Sequence, residues 1–120
     1  MIEIRPADPE ELLLLGAHTG LSAENARGMV LWEKGERKGY TLYAFSGQAV
    51  ELLSLSAPDE TMGEGLLRAA LNAALLAGLD RAVCRTPALA PALRRLGFQE
   101  TPNCLSVELR EFFNRKCRQP

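Results

Sequence analysis

The sequence predicts an α+β domain in three layers, a mixed and mostly antiparallel sheet flanked by helices. Three observations lead there. Stretches of period-two alternation, such as Ile2-Glu3-Ile4-Arg5 and Leu105-Ser106-Val107-Glu108-Leu109, read as half-buried strands. Between residues 29 and 55, apolar segments follow one another across short polar connections, which is the pattern of a meander. From residue 50 onward the order becomes strand, helix, strand, which makes a βαβ-like crossover of the usual right hand.

Length and composition bound the reading. A chain of 120 residues is large enough for one real core and not two, so residues 1–113 are expected as a single domain and 114–120 as a frayed basic tail. The 14 basic and 15 acidic residues leave a formal charge of −1, which gives no electrostatic reason to expect a nucleic acid or an acidic membrane as partner. No apolar run reaches membrane-spanning length, and Glu3 and Arg5 open the chain where a signal sequence would be basic and then apolar. A cytoplasmic location is the expectation. Cys84, Cys104 and Cys117 are odd in number, far apart and without a C-x-x-C pattern, so reduced thiols are expected, with neither a disulfide framework nor a metal.

Each element follows from local signals. The first strand, residues 1–5, is stopped by Pro6. Asp8 then caps a short helix with Pro9 at its first position, Glu10 and Glu11 at its positive end and Gly16 as its stop. Ser22 caps a second brief helix over 23–27, closed by Gly28. Residues 29–33 and 40–45 pair as a hairpin across the connection 34–39, with Trp32, Tyr40 and Tyr43 as the large side chains. A turn at Ser46 and Gly47 leads into the strand 48–55, on which Leu53 and Leu55 share a face with Glu51. An acidic loop with two glycines precedes the longest helix, 65–79, whose Leu67, Leu71, Ala74 and Leu75 lie at helical spacing. Residues 80–85 form a short strand halted by Pro87, and 88–96 a helix ended by Gly97. Phe98 starts a strand that Pro102 and Asn103 interrupt before 105–109.

The strongest functional signal lies in residues 50–74. A helix start has backbone N–H groups without intrahelical partners and carries the positive end of the macrodipole, so it suits an anionic guest. Gly63 and Gly65 would let the backbone approach phosphate oxygens. Taken alone, a two-glycine loop is more often a turn and cap. Arg94 and Arg95 either reach a phosphate from the next helix or complement its C-terminal dipole. His18 and Cys84 read more simply as a solvated histidine and a small buried residue than as catalytic groups.

From residue 50 to Phe98, the order of strand, glycine loop, helix, strand and short helix ending in Leu96-Gly97-Phe98 is similar to the GNAT acyltransferase superfamily. The opening Ile4-Arg5-Pro6-Ala7 also resembles that family's first strand. The family's motif R/Q-x-x-G-x-G/A reads here Glu60-Thr61-Met62-Gly63-Glu64-Gly65, with the glycines matched and an acid in the first position. The resemblance implies that the fourth and fifth strands splay apart and that acetyl-CoA or another acyl-CoA lies in the gap as cosubstrate. It would set the backbone of Thr61, Met62, Gly63, Glu64, Gly65 and Leu66 around the pyrophosphate, and Leu53 and Leu55 along the pantetheine and acyl group. Glu60 at some 4 to 6 Å would then repel the pyrophosphate by roughly 1 to 3 kcal/mol.

Glu51 is the implied base for a small-molecule or peptide amine acceptor, and Leu93 stands where the family commonly has an acid tyrosine. The implied activity is N-acyl transfer by direct attack of a primary amine, with no metal. The alternative is a catalytically silent domain of the same shape, used for binding or protein interaction. The short helices between Gly16 and Gly28 leave little chain for an acceptor pocket, which a homodimer could complete.

Overall fold

The computed structural model describes residues 2–19 and 26–118, with side chains for 2–16 and 26–114. Strand β1 (Ile2–Pro6) is followed by helix α1 (Pro9–Thr19) and then by β2 (Ala26–Glu33), β3 (Glu36–Ser46) and β4 (Ala49–Ser56). Helix α2 (Glu60–Leu76) leads to β5 (Arg81–Cys84), and a 3-10 turn (Pro87–Leu89) leads to α3 (Ala90–Arg95). The hairpin of β6 (Gln99–Glu100) and β7 (Leu105–Glu108) comes next, and α4 (Leu109–Arg118) follows. The strands form a 7-stranded sheet in the order β1-β2-β3-β4-β5-β7-β6, and β4 with β5 is its parallel pair. The mixed, mostly antiparallel α+β architecture is the one the sequence predicts. No helix among the described residues is long and apolar enough to cross a membrane.

The elements extend further than their local signals suggested. Lys34 and Gly35, with φ of 54° and 80°, make a two-residue hairpin turn whose positive φ values match the twist of the flanking strands. The β2–β3 ladder therefore runs from Glu33↔Glu36 to Ala26↔Ala44, well past the six-residue connection expected from composition. At the start of α1, Asp8 Oδ1 accepts from the Glu11 amide at 2.8 Å and Glu11 Oε1 accepts from the Asp8 amide at 3.1 Å, a reciprocal capping box. That helix continues through Gly16, the expected stop, since a mid-helix glycine costs only about 1 kcal/mol.

Residues 20–25, which hold most of the second brief helix, lie outside the described residues, and Ala26 and Arg27 already belong to β2. Gly28 is likewise a strand residue and not a helix cap. A Cβ there would stand 3.1 Å from Leu42 and 3.3 Å from Ala7 and Leu12, because α1 passes close over β2.

The core lies between the sheet and α2. Leu66, Leu67, Ala70, Leu71 and Ala74 of α2 bury their side chains against Met29, Leu31, Tyr43, Val50, Leu52 and Ala82. Each fully buried leucine contributes about 1.5–3 kcal/mol. Leu109 opens α4 where a strand was expected to continue, with its amide donating to the Asp80 carbonyl at 2.9 Å and its side chain fully buried. The backbone of residues 114–118, expected as a frayed tail, continues that helix.

Candidate functional site

Strands β4 and β5 pair over four positions, from Ala49↔Arg81 to Leu52↔Cys84, and then separate. Beyond Leu52, β4 runs on to Ser56 bonded to β3 alone, while β5 ends and the chain turns toward α3. A bulge marks the point of separation. Leu42 pairs with Ser54 and Tyr43 with Leu52, so Leu53 has no opposite number. The Thr41 hydroxyl donates to the Ser54 carbonyl at 2.8 Å and steadies the bend. Across the gap the Thr86 hydroxyl donates to the Leu53 carbonyl at 3.3 Å.

The bulge corrects one expectation. An extra residue reverses the alternation beyond it, so Leu55 does not share the face of Glu51. Leu55 pairs with Thr41 and packs toward α2, where its Cδ2 lies 3.4 Å from the place of a Gly63 Cβ. Glu51, between the core residues Val50 and Leu52, faces the other way.

The segment expected as a phosphate loop is helical. Asp59 caps α2, accepting from the Met62 amide at 2.8 Å, and the Gly63 amide donates to the Asp59 carbonyl at 3.0 Å. Thr61, Met62, Gly63, Glu64, Gly65 and Leu66 thus occupy the first two turns, with the amides from Gly63 onward inside the helical ladder. The amides of Glu60 and Thr61 are the donors left at the helix start. Neither Gly63 nor Gly65 has a positive φ. A Cβ on Gly63 would meet Leu55 at 3.4 Å and Ala57 at 3.6 Å, and one on Gly65 would meet Ile4 at 3.2 Å. Both glycines serve the approach of α2 to the sheet.

Arginines answer the acids of this segment. Arg95, on the last turn of α3, places Nη1 3.8 Å from Glu60 Oε1 and Nε 3.7 Å from Glu64 Oε1. Arg68 Nη2 lies 3.9 Å from Glu64 Oε2. Such exposed pairs contribute only about 0–1 kcal/mol each, but they reduce the repulsion expected of unaccompanied carboxylates. Sequence spacing could not reveal the Arg95 pairs, because α2 and α3 meet only in the folded chain. Arg94 points elsewhere, to Glu100 on β6, with Nε 2.7 Å from Oε1.

Glu51 sits one position before the end of the β4–β5 pairing, 3.0 Å from the Arg85 guanidinium and with its side chain 27% exposed. Leu93 is fully buried in the core, so no hydroxyl stands at its position. The Cys84 thiol is buried, and burial pushes its pKa up against the opposing hydrogen bonds of Thr86, so it is a weak nucleophile. The side chain of His18 lies outside the described residues. Among the described residues no three histidine, cysteine or acidic side chains cluster as a metal site would require.

No family model matches this chain, and neither does any curated protein. Solved structures do. A putative acetyltransferase of the GNAT family from Desulfovibrio desulfuricans superposes with a TM-score of 0.71 at 17% identity, over 91% of this chain and 99% of that one. The fold is that of the GNAT acetyltransferases. The PaiA N-acetyltransferase of Thermoplasma acidophilum, solved in complex with coenzyme A, superposes at 0.67 with 14% identity, over 90% and 98% of the two chains. A KacTA–DNA complex contains a chain that superposes at 0.66 with 16% identity, over 99% and 100%. In GNAT terms, the separation of β4 and β5 after Leu52 and Cys84 is the expected splay. Gly97, with φ of 97°, ends α3 as the Leu96-Gly97-Phe98 segment suggested.

Proposed function

We propose that the protein is an acyl-CoA-dependent N-acyltransferase, moving an acyl group, acetyl in the simplest case, onto a primary amine of a small molecule or peptide. The separation of β4 from β5 at the start of α2 carries this reading. Residues 53–56 offer a strand edge that β5 does not pair with, crossed by the Thr86 hydroxyl at the Leu53 carbonyl, and an amide-bearing arm can add to such an edge as another strand would. Leu53 and Leu55 belong to that edge. The helix start fits the phosphates less fully, through the amides of Glu60 and Thr61 and the guanidinium of Arg95.

When bound, the acyl-CoA supplies the activated thioester. Glu51 serves as the base, taking the amine's proton directly or through a water, and Arg85 holds the carboxylate in place. Leu93 supplies no proton, so this chain lacks the usual acid at that position. The connection from α1 to β2 is short, and a second copy of the chain would complete the acceptor side. A cytoplasmic setting matches the intracellular supply of acyl-CoA.

One observation favours a second reading, a catalytically silent GNAT-fold domain. Asp59 already places a carboxylate at the helix start, in contact with the Met62 amide. A thiol-release screen over primary amines decides between them. Turnover with acetyl-CoA that falls in Glu51→Gln supports the transferase, and binding without turnover on any amine supports the silent domain.

A further inference from the structure

We infer that the free edge of β1 pairs with the same edge of a second copy of this chain, antiparallel and about a two-fold axis at Ile4. Strand β1 ends the sheet order, and among the described residues no strand lies on its outer side. Such an edge is a template for another strand unless the fold blunts it. The ladder decides which main-chain groups face outward. The Ala7 amide donates to the Gly28 carbonyl at 2.8 Å, and β1 pairs with β2 in unbroken register from Ile2↔Glu33 to Pro6↔Met29. Bonded pairs alternate along an antiparallel ladder, so Glu3 and Arg5 also bond to β2, while Ile2, Ile4 and Pro6 turn their main-chain polar groups to the free side.

The side chains then select one register. A two-fold axis at Glu3 or Arg5 sets like charges opposite each other. An axis at Pro6 falls on a residue without an amide hydrogen, and one at Ile2 leaves Arg5 beyond the end of the other strand. An axis at Ile4 lets the two Ile4 residues exchange hydrogen bonds and brings each Ile2 amide to the Pro6 carbonyl of the second copy. It also sets Glu3 of each copy directly opposite Arg5 of the other, two charge pairs made by one symmetry operation.

Both charged groups are free to make those pairs. Within one chain Arg5 Nη1 and Glu3 Oε1 are 3.9 Å apart, outside hydrogen-bond range, and the side chains are 52% and 63% exposed. Arg5 stacks over Trp32, with Cζ 4.6 Å from the ring centroid, which holds the guanidinium on one face of the edge. On the other face Ile4 reaches toward Gly65 of α2, and Ile2 beside it is 45% exposed, so the second copy covers apolar surface too. The seam lies three strands from β4, and the inference stands whether or not an acyl-CoA occupies the gap there.

Sedimentation velocity of the full chain over a concentration series tests this. The wild type should be a dimer that dissociates on dilution. Glu3→Arg and Arg5→Glu should each raise the dissociation constant at least about tenfold, because two pairs change sign at once. The double variant Glu3→Arg with Arg5→Glu should dimerise again, and mixing the two single variants should yield the heterodimer. Melting curves of the variants report folding, and Glu3→Arg leaves the Arg5–Trp32 stack in place, which gives an independent readout. A wild type that stays monomeric at all concentrations overturns the inference. So does a dimer indifferent to both single changes, or one that neither the double variant nor the mixture restores.

Discussion

The Glu51 carboxylate and the Arg85 guanidinium form a 3.0 Å ion pair that joins β4 to the residue after β5, at the mouth of the gap between the two strands. The pair lies on the sheet face away from α2, where an amine could approach a thioester held along β4. Glu51→Gln keeps the shape and removes the charge. It should lower turnover by about 10² to 10⁴ in a thiol-release assay while CoA affinity stays the same. Unchanged turnover would take Glu51 out of its role as base.

Leu93 is fully buried among core residues. Leu93→Tyr would bring a larger ring and a hydroxyl into packed space, so a tyrosine at this position should not supply an acid. Denaturant unfolding should show a loss of about 1–3 kcal/mol, with no gain in rate. A variant that is both stable and faster would contradict the packing described for α3.

Two glycines of the β2–β3 hairpin should respond differently to alanine. A Cβ on Gly39 would stand 2.6 Å from the Ser56 carbonyl oxygen, so backbone would have to move at the end of β4. Gly35, with φ of 80°, has open space around it, and only its left-handed backbone resists a side chain. Thermal unfolding should show Gly39→Ala losing more than about 2 kcal/mol and Gly35→Ala about 1–2 kcal/mol.

Burial pushes the Tyr43 phenol above its ordinary pKa of 10.0, with the nearby Arg27 guanidinium opposing in part. The unfolded chain then loses this proton at lower pH than the folded one. The stability linked to Tyr43 is complete below pH 10 and is lost as pH rises through the folded-state value. Tyr43→Phe should flatten the alkaline arm of the unfolding midpoint plotted against pH. An identical slope in both proteins would mean that the phenol is solvated.

The meander, the βαβ crossover and the Gly97 end of α3 were legible because alternation, helical spacing and a C-terminal glycine are local signals. The start of α2 was not, since a capping aspartate and a loop aspartate read alike until the Met62 amide is seen bonded to Asp59. Two glycines that fit a phosphate loop equally fit a helix pressed against Leu55 and Ile4. The Leu53 bulge depends on which β3 residue pairs with which, and so lay beyond any period read from β4 alone. The Arg95 pairs with Glu60 and Glu64 join residues far apart in the chain, and they alter the electrostatics of the very segment that carried the functional signal.

Titration of the purified chain with acetyl-CoA, followed by calorimetry and by thermal unfolding, tests the central claim most directly. Saturable binding with a melting temperature that rises with ligand concentration, as linkage requires, is the expected result. Absence of both heat and thermal stabilisation at millimolar acetyl-CoA would contradict it.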